Sequence, residues 1–479
     1  MTSTPVPAEL LGRAGLPAAE VAGWATAVPD PHGPLDAAAS ALSRFLSAGQ
    51  ALSRRLPDRA HRSADEQAAR EAIAAAMDGA RDSFLAVHAE ALYDVLTGGH
   101  TRSLRLAELL AAAAAQVPGL VPAADDLAAE RARPLPGKEG IEFAQGLLVG
   151  HVLAQPRAGR HLIAAMLRPT PEAIERLAEL RVAGTVDLGP VQVTRRGRAG
   201  VLELRNPRHL NAEDDVTLGP TECAVDLILL DPDIEIGVIR GGVVDHPRYP
   251  GVRVFGSGLN LTRLYHGQLD FLFYLVRDLG YVHKIYRGII PPGPGTGLAG
   301  PGGGLTGRPG TNPEGTAEKL WIAAVERFAV GGACQLLHVV DHVIAARGSR
   351  LFLPARNEGI IPGASNLRLP RFVGDRAARQ AILSGRQWVA GQPDAALLCD
   401  EVVEPGDVDQ AVADRIATLT NSGLVNAAAN RCTLRAGQEP LDLFREYMAA
   451  FSVEQARCHL SPALVRNLEL HWNAPARSS

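Results

Sequence analysis

Two glycine-rich turns are where this sequence could offer main-chain chemistry. Gly331–Gly332, in AVGGACQLL, stand just before a stretch that predicts a helix from about Ala333. Gly258–Leu259, in FGSGLNL, mark a second turn. An N–H at such a turn can donate to a developing oxyanion without bringing a charge of its own to be desolvated. A helix opening at the turn adds the pull of its dipole. Two such donors on one carbonyl oxygen would stabilise an enolate.

Other patterns carry less. His338 and His342 are four apart on a predicted helix, a spacing that can bind zinc. The residues between them are Val339, Val340 and Asp341, so the glutamate of H-E-x-x-H is missing. No third ligand stands out, and buried or interface histidines are the better reading. FGSGLN only loosely resembles the G-x-S-x-G elbow of serine nucleophiles. The run Gly302–Gly304 lacks the GK[ST] of a phosphate-binding loop.

The elements that position these turns follow from composition and period. The chain has 479 residues, 46 % hydrophobic and 21 % charged, with a net charge of −4. That suits a globular protein of more than one domain. No block of like charge points to nucleic acid or an anionic membrane. Cys223, Cys334, Cys399, Cys432 and Cys458 form no CxxC pair and are odd in number, which predicts reduced thiols in the cytoplasm. The first residues lack a basic stretch followed by an apolar run, so no secretory signal is expected. No apolar run of about 18 residues predicts a membrane span.

Residues 1–188 predict a helical domain, with helical spacing over Glu71–Leu96 and Leu104–Val117. Thr170 is a candidate N-cap, with Pro171 after it and Gly184 closing that helix. Residues 189–405 predict an α/β core. There VQVTRRGRAGVLELRNP reads as two strands about a glycine turn, Thr221–Leu230 as a helix, and Ile234–Gly242 as a buried strand. Strand, helix, strand implies a parallel sheet. The Gly/Pro-rich stretch 291–315 predicts a surface loop. Residues 406–479 turn helical again and could cover a neighbouring subunit.

Four segments then occur in the order and spacing of the crotonase, or enoyl-CoA hydratase/isomerase, superfamily. They are NPRHLNAED (206–214), RVFGSGLNL (253–261), WIAAVERFAVGGACQLLHVVDHVIAA (321–346) and LFLPARNEGIIPGASNLRLPRFVG (351–374). The resemblance implies a crotonase-like ββα spiral core, with an oxyanion hole made by the N–H groups of Leu259 and Gly332. Hydratases of the superfamily place two glutamates across the thioester. Those positions are Gln335 and Ala355 here, and neither side chain can do acid/base work, which disfavours hydration.

The departures resemble the dihydroxyphenylacetyl-CoA dioxygenase subgroup, which uses no metal or organic cofactor. That resemblance implies an acyl-CoA thioester and dioxygen as substrates. It implies a carbanion that reduces dioxygen directly, and a product that feeds dihydroxyphenylglycine for glycopeptide antibiotics. Glu213 and Arg277 match substrate-binding positions, and Gln335 would position the thioester or peroxide. Ile360, with Leu259 and Leu261, would line an apolar oxygen pocket. Contacts with substrate or coenzyme are implied for His246, Pro247, Arg248, Tyr249 and Asn366. The same is implied for Ser257, Gly258, Asn260, Ala333 and Cys334 around the two turns. Asp278 stands where the subgroup has glutamate. A homotrimer or dimer of trimers is the expected assembly. Another crotonase-type hydrolase or isomerase, or a non-catalytic acyl-CoA-binding protein, are the competing readings.

Overall fold

A computed structural model describes residues 8–292, 315–421 and 424–477. Most of the Gly/Pro stretch predicted as a loop falls on 293–314, outside the described residues. The chain forms two compact units. One comprises Met1–Leu162, Tyr265–Phe271 and Met448–Val465; the other comprises Ile163–Leu264, Leu272–Tyr447 and Arg466–Ser479.

The first unit is helical. Its longest helix, Ala64–Thr97, opens on a capping box in which Ser63 and Glu66 satisfy each other's main-chain N–H, and it closes at Gly98. Gly146 and Gly150, on the helix Phe143–Ala154, allow close helix packing. A Cβ on Gly146 would lie 2.8 Å from Ser452 O, and one on Gly150 2.8 Å from Val453. A buried carboxylate is satisfied nearby: Glu142 meets Lys138 Nζ at 2.9 Å and His459 Nε2 at 3.1 Å. Burial alone would raise the Glu142 carboxyl. The His459 contact and the Lys138 ammonium outweigh that and hold it down at about 2.

The second unit is built on a seven-stranded sheet. Its strands are β1 (Thr185–Asp187), β2 (Val191–Arg196), β3 (Ala199–Leu204), β4 (Ile236–Gly241), β5 (Leu320–Val325), β7 (His342–Ala346) and β10 (Glu401–Val403). A smaller sheet holds β6 (Phe328–Val330), β8 (Arg350–Phe352) and β9 (Gln387–Val389). The spatial order β1-β2-β3-β4-β5-β7-β10 is antiparallel up to β3 and parallel from there on. The expected hairpin is β2–β3, and the strand–helix–strand unit is β3, the helix Asp215–Leu230, and β4. After that, β5 and β6 lead into the helix Gly332–Leu336. Likewise β7 and β8 lead into Ala355–Glu358 and Ser365–Ser384. Each ββα repeat thus gives one strand to each sheet.

Every residue of β4 and β5 is buried, as a parallel sheet covered on both faces requires. Alternate residues sort to opposite faces. Leu202, Ile239, Trp321, Ala323 and Val343 join the core that includes Cys223–Leu229 of the Asp215–Leu230 helix. Val201, Val238, Ile322 and Ile344 face the helix Val408–Asn421 through Ala411, Val412 and Ile416.

Two expectations change. The helix predicted over Thr221–Leu230 begins at Asp215, where the Asp214 carboxylate accepts from the N–H groups of Val216 and Thr217. Gly219 and Pro220 mask that start in the sequence, yet Pro220 is carried inside the helix. His338 and His342 do not share a helix: it ends at Leu336, and His342 opens β7. A short apolar run such as VVDHVIAA fits either period, and here pairing with β5 and β10 decides it.

One close approach sets the sheet's packing. Gly237 of β4 pairs in register with Trp321 of β5, and a Cβ there would lie 2.2 Å from the indole ring. Trp321 is fully buried and has nowhere to retreat. Gly237→Ala should therefore destabilise the fold by about 1–3 kcal/mol, seen as a lower denaturant midpoint. An unchanged midpoint would contradict this packing account.

Candidate active site

Arg277 lies on the helix Leu272–Leu279 and is 4 % exposed. Its guanidinium has five N–H groups, and each finds an acceptor. Nε donates to Glu213 Oε2, and Nη2 donates to Glu213 Oε1 at 3.1 Å and to the main-chain oxygen of Gly332 at 2.8 Å. Nη1 donates to Asp278 Oδ1 at 3.0 Å and to Gln335 Oε1 at 2.8 Å. Burial disfavours the cation, but Glu213, Tyr281 and Asp278 hold its pKa well above the ordinary arginine value. The Asp278 carboxyl shifts upward because burial outweighs the attraction of Arg277. Tyr281 lies under the guanidinium, 5.5 Å from ring centroid to Cζ, and burial raises its phenol strongly. Arg277 is therefore saturated within the protein. It positions Glu213, Gln335 and Gly332.

The two glycine turns meet beside this hub. Glu213 bridges Leu259 in parallel fashion: Glu213 N donates to Gly258 O at 2.7 Å, and Asn260 N donates to Glu213 O at 2.8 Å. That pattern leaves the N–H of Leu259 itself on the side away from Glu213. Neither the Leu259 nor the Gly332 N–H makes a main-chain hydrogen bond among the described residues. Gly258 has φ +80°, and a Cβ on it would lie 2.7 Å from Val330 O and 3.1 Å from Gly332 N. Gly331, at φ +54° and ψ −119°, occupies backbone space open only to glycine. Glycine is thus needed on both sides of the contact.

These residues line one cleft of about 470 Å³. Its wall includes Glu213, Leu259, Arg277, Gly332, Gln335 and Ile360, all singled out in the sequence. Ala355 lines it too, so both positions of the missing hydratase glutamates face the same space. Phe273, Tyr274, Pro354, Ile361 and Pro362 make much of the remainder apolar.

Other predicted site residues fall elsewhere. Asn260 is buried, donating to Asp214 Oδ2 at 3.0 Å and accepting from Arg263 N at 3.2 Å. Leu261 opens the short helix Leu261–Tyr265. The Ser257 hydroxyl donates to His209 O at 3.0 Å. Ala333 and Cys334 point into the core, and burial pushes the Cys334 thiol up to about 12. His246, Pro247, Arg248 and Tyr249 form a turn outside the cleft wall, with Tyr249 edge-on to Phe328 at 5.5 Å. Asn366 is exposed and also outside it. His338 is buried, bonded through Nδ1 to Ser365 Oγ at 3.0 Å, and burial lowers its pKa to about 3. Among the described residues, no three His, Cys, Asp or Glu side chains converge as metal ligands would.

Residues 315–449 match the family model for enoyl-CoA hydratase/isomerase. Over 398 residues the chain is 45 % identical to the (3,5-dihydroxyphenyl)acetyl-CoA 1,2-dioxygenase of Amycolatopsis orientalis, covering 82 % of this chain and 87 % of that one. This chain belongs to the enoyl-CoA hydratase/isomerase family. The α/β crotonase-like core expected from the four segments is that family's fold. A probable enoyl-CoA hydratase of Rhizobium meliloti (strain 1021) is 27 % identical over 215 residues, 44 % of this chain and 68 % of the relative. A solved structure of carnitinyl-CoA hydratase from Mycobacterium avium covers 60 % of this chain and 96 % of its own at 20 % identity, with a TM-score of 0.45.

Sequence reasoning missed Glu358. It lines the cleft at the end of the turn Ala355–Glu358, one turn beyond Ala355. Its carboxylate has no hydrogen bond or ion pair among the described residues, and burial alone pushes it up to about 7. NEG in a loop-like stretch gave no signal, because nothing local marks an acid as desolvated. The shift has a sign. A carboxyl whose folded pKa exceeds its unfolded value of 4.5 makes the fold less stable as pH rises from about 4.5 to about 7. Glu358→Gln should therefore raise the melting temperature at pH 8 and leave it nearly unchanged at pH 4.5. An equal change at both pH values would show that desolvation of the charge is not the cause.

Proposed function

We propose that this chain is a cofactor-independent dioxygenase that converts (3,5-dihydroxyphenyl)acetyl-CoA and dioxygen to 3,5-dihydroxyphenylglyoxylate and coenzyme A. The substrate and reaction class follow the name of the Amycolatopsis orientalis relative, with which it shares 45 % of aligned residues. The observation that supports the reading most is the cleft wall. It joins two N–H groups, at Leu259 and Gly332, that make no main-chain hydrogen bond among the described residues, to the positions Gln335 and Ala355, where hydration would need carboxylates.

In this mechanism the thioester oxygen accepts from both N–H groups. Charge developing there as the α-proton leaves meets donors that need no reorganisation. The aryl ring spreads the carbanion. The carbanion reduces dioxygen and forms the Cα–O bond of a peroxide. The distal oxygen attacks the thioester carbon, and the C–S bond breaks to release coenzyme A. Cleavage of the O–O bond with loss of the second α-proton leaves the α-keto acid. The four electrons that reduce dioxygen come from the α-carbon. Ile360 and its apolar neighbours keep water from the carbanion. Glu213, which accepts from Arg277 at both oxygens and from Tyr281, accepts from a ring hydroxyl through its remaining lone pair. The Gln335 amide, steadied by Arg277, orients the thioester or peroxide without acting as a base.

The enzyme works in the cytoplasm as a homotrimer or dimer of trimers, in the supply of dihydroxyphenylglycine for glycopeptide antibiotics. Among the described residues, no helix is long and apolar enough to cross a membrane.

An oxygen electrode with chelator-treated protein tests the reading. Dihydroxyphenylacetyl-CoA should drive uptake of one dioxygen per coenzyme A released, with no visible chromophore. Thiol release without uptake would instead establish a hydrolase, and binding without either would establish a non-catalytic protein. Glu213→Ala or Arg277→Ala should lower kcat/KM by more than tenfold, a loss greater than about 1.4 kcal/mol. His338→Asn, at a buried neutral side chain away from the cleft wall, should cost much less. Equal losses at all three would remove the assignment of Glu213 and Arg277.

A further inference from the structure

We propose that Glu358 is the base that removes the α-proton of the bound thioester. This rests on the enolate-forming function above, which requires a proton acceptor but does not identify one. Deprotonation breaks the Cα–H bond, moves its electron pair into the enolate held at Leu259 and Gly332, and places the proton on a Glu358 carboxylate oxygen.

The cleft wall leaves few candidates. Gln335 has no basic group. Arg277 is a cation with every N–H engaged. Glu213 accepts twice from Arg277 and also from Tyr281, and protonating it would break a buried ion pair. Asp278 is bonded to the same guanidinium at 3.0 Å. Tyr274 offers a phenol rather than a carboxylate. Glu358 differs from all of these because its carboxylate has no partner among the described residues. It is enclosed by protein yet keeps surface toward the cleft.

Its position also has a logic. Ala355 takes the place of a hydratase glutamate, and Glu358 follows on the same short turn, with Pro354 and Ala355 beside it in the wall. The charged groups facing the cleft are Glu213, Arg277 and Asp278, which pair with one another. Arg356, on the same turn as Glu358, is exposed. Among the described residues, no cation therefore stabilises the Glu358 carboxylate. A desolvated carboxylate with a pKa of about 7 is matched to proton abstraction near neutral pH.

Exchange of the α-protons of dihydroxyphenylacetyl-CoA with D2O, under argon, isolates this step from the oxygen chemistry. Wild-type protein should exchange them, with a rate that rises through about pH 7. Glu358→Gln should lose at least about 100-fold in exchange and the pH limb with it, while binding the substrate with similar affinity. Glu358→Asp should keep the limb at reduced rate, and it serves as the check should the Gln variant fold poorly. Exchange by Glu358→Gln within a few-fold of wild type, alongside wild-type oxygen uptake, would overturn the assignment of Glu358 while leaving the dioxygenase reading intact. Wild-type protein that neither exchanges nor takes up oxygen would overturn both.

Discussion

The site depends on a single guanidinium with no spare donor. Arg277 ties together a loop acid, its own chain neighbour, and a side-chain amide and a main-chain oxygen of the helix Gly332–Leu336. A buried arginine is costly unless every N–H is met, so satisfying it fixes where Glu213, Asp278, Gln335 and Gly332 must stand. Lysine could not replace it, because one ammonium cannot reach acceptors spread around a plane. A Cβ on Gly332 would sit 2.9 Å from Glu213 Oε2, so even the glycine there answers to this ion pair.

The scaffold supplies the complementary constraint. One glycine turn follows β4 and the other follows β5 and β6, and the parallel pairing of β4 with β5 holds the two approaches in register. The bridge between Gly256 and Ala329 brings the second turn's approach against the strand that leads into the first. Gly363 works at the far wall: a Cβ there would lie 2.5 Å from both Asp278 Oδ2 and Gln335 Oε1, and its own oxygen accepts from Tyr447 at 2.5 Å. Close packing of main chain, with few side chains between, is what brings the two turns to the wall of one cleft.

Much of this could be read before any coordinates. The β2–β3 hairpin, the Thr170 cap with Gly184 closing its helix, and the long N-terminal helices follow from local rules. Leu259, Gly332, Gln335 and Ile360 were legible because four segments kept a family's order. The true start of the Asp215–Leu230 helix was not legible, since Gly219 and Pro220 look like a loop when read locally. The saturation of Arg277 was invisible as well, because its acceptors are spread from residue 213 to residue 335. Glu358 stayed hidden for the converse reason: its surroundings matter through what they lack. Family resemblance drew in Ser257, Asn260 and Cys334, whose contacts in the fold serve the turns and the core.

The burial of Cys334 bears on how long such a protein survives its own chemistry. Cys334 stands two residues past Gly332 on the short helix that borders the cleft, and a thiol is a ready reductant for a hydroperoxide. Oxidation to sulfenic acid proceeds through the thiolate, and with its pKa pushed to about 12 Cys334 has almost none at neutral pH. Packing the sulfur into the core thus works as passive armour against self-inactivation, using only the apolar contacts that already hold the helix in place.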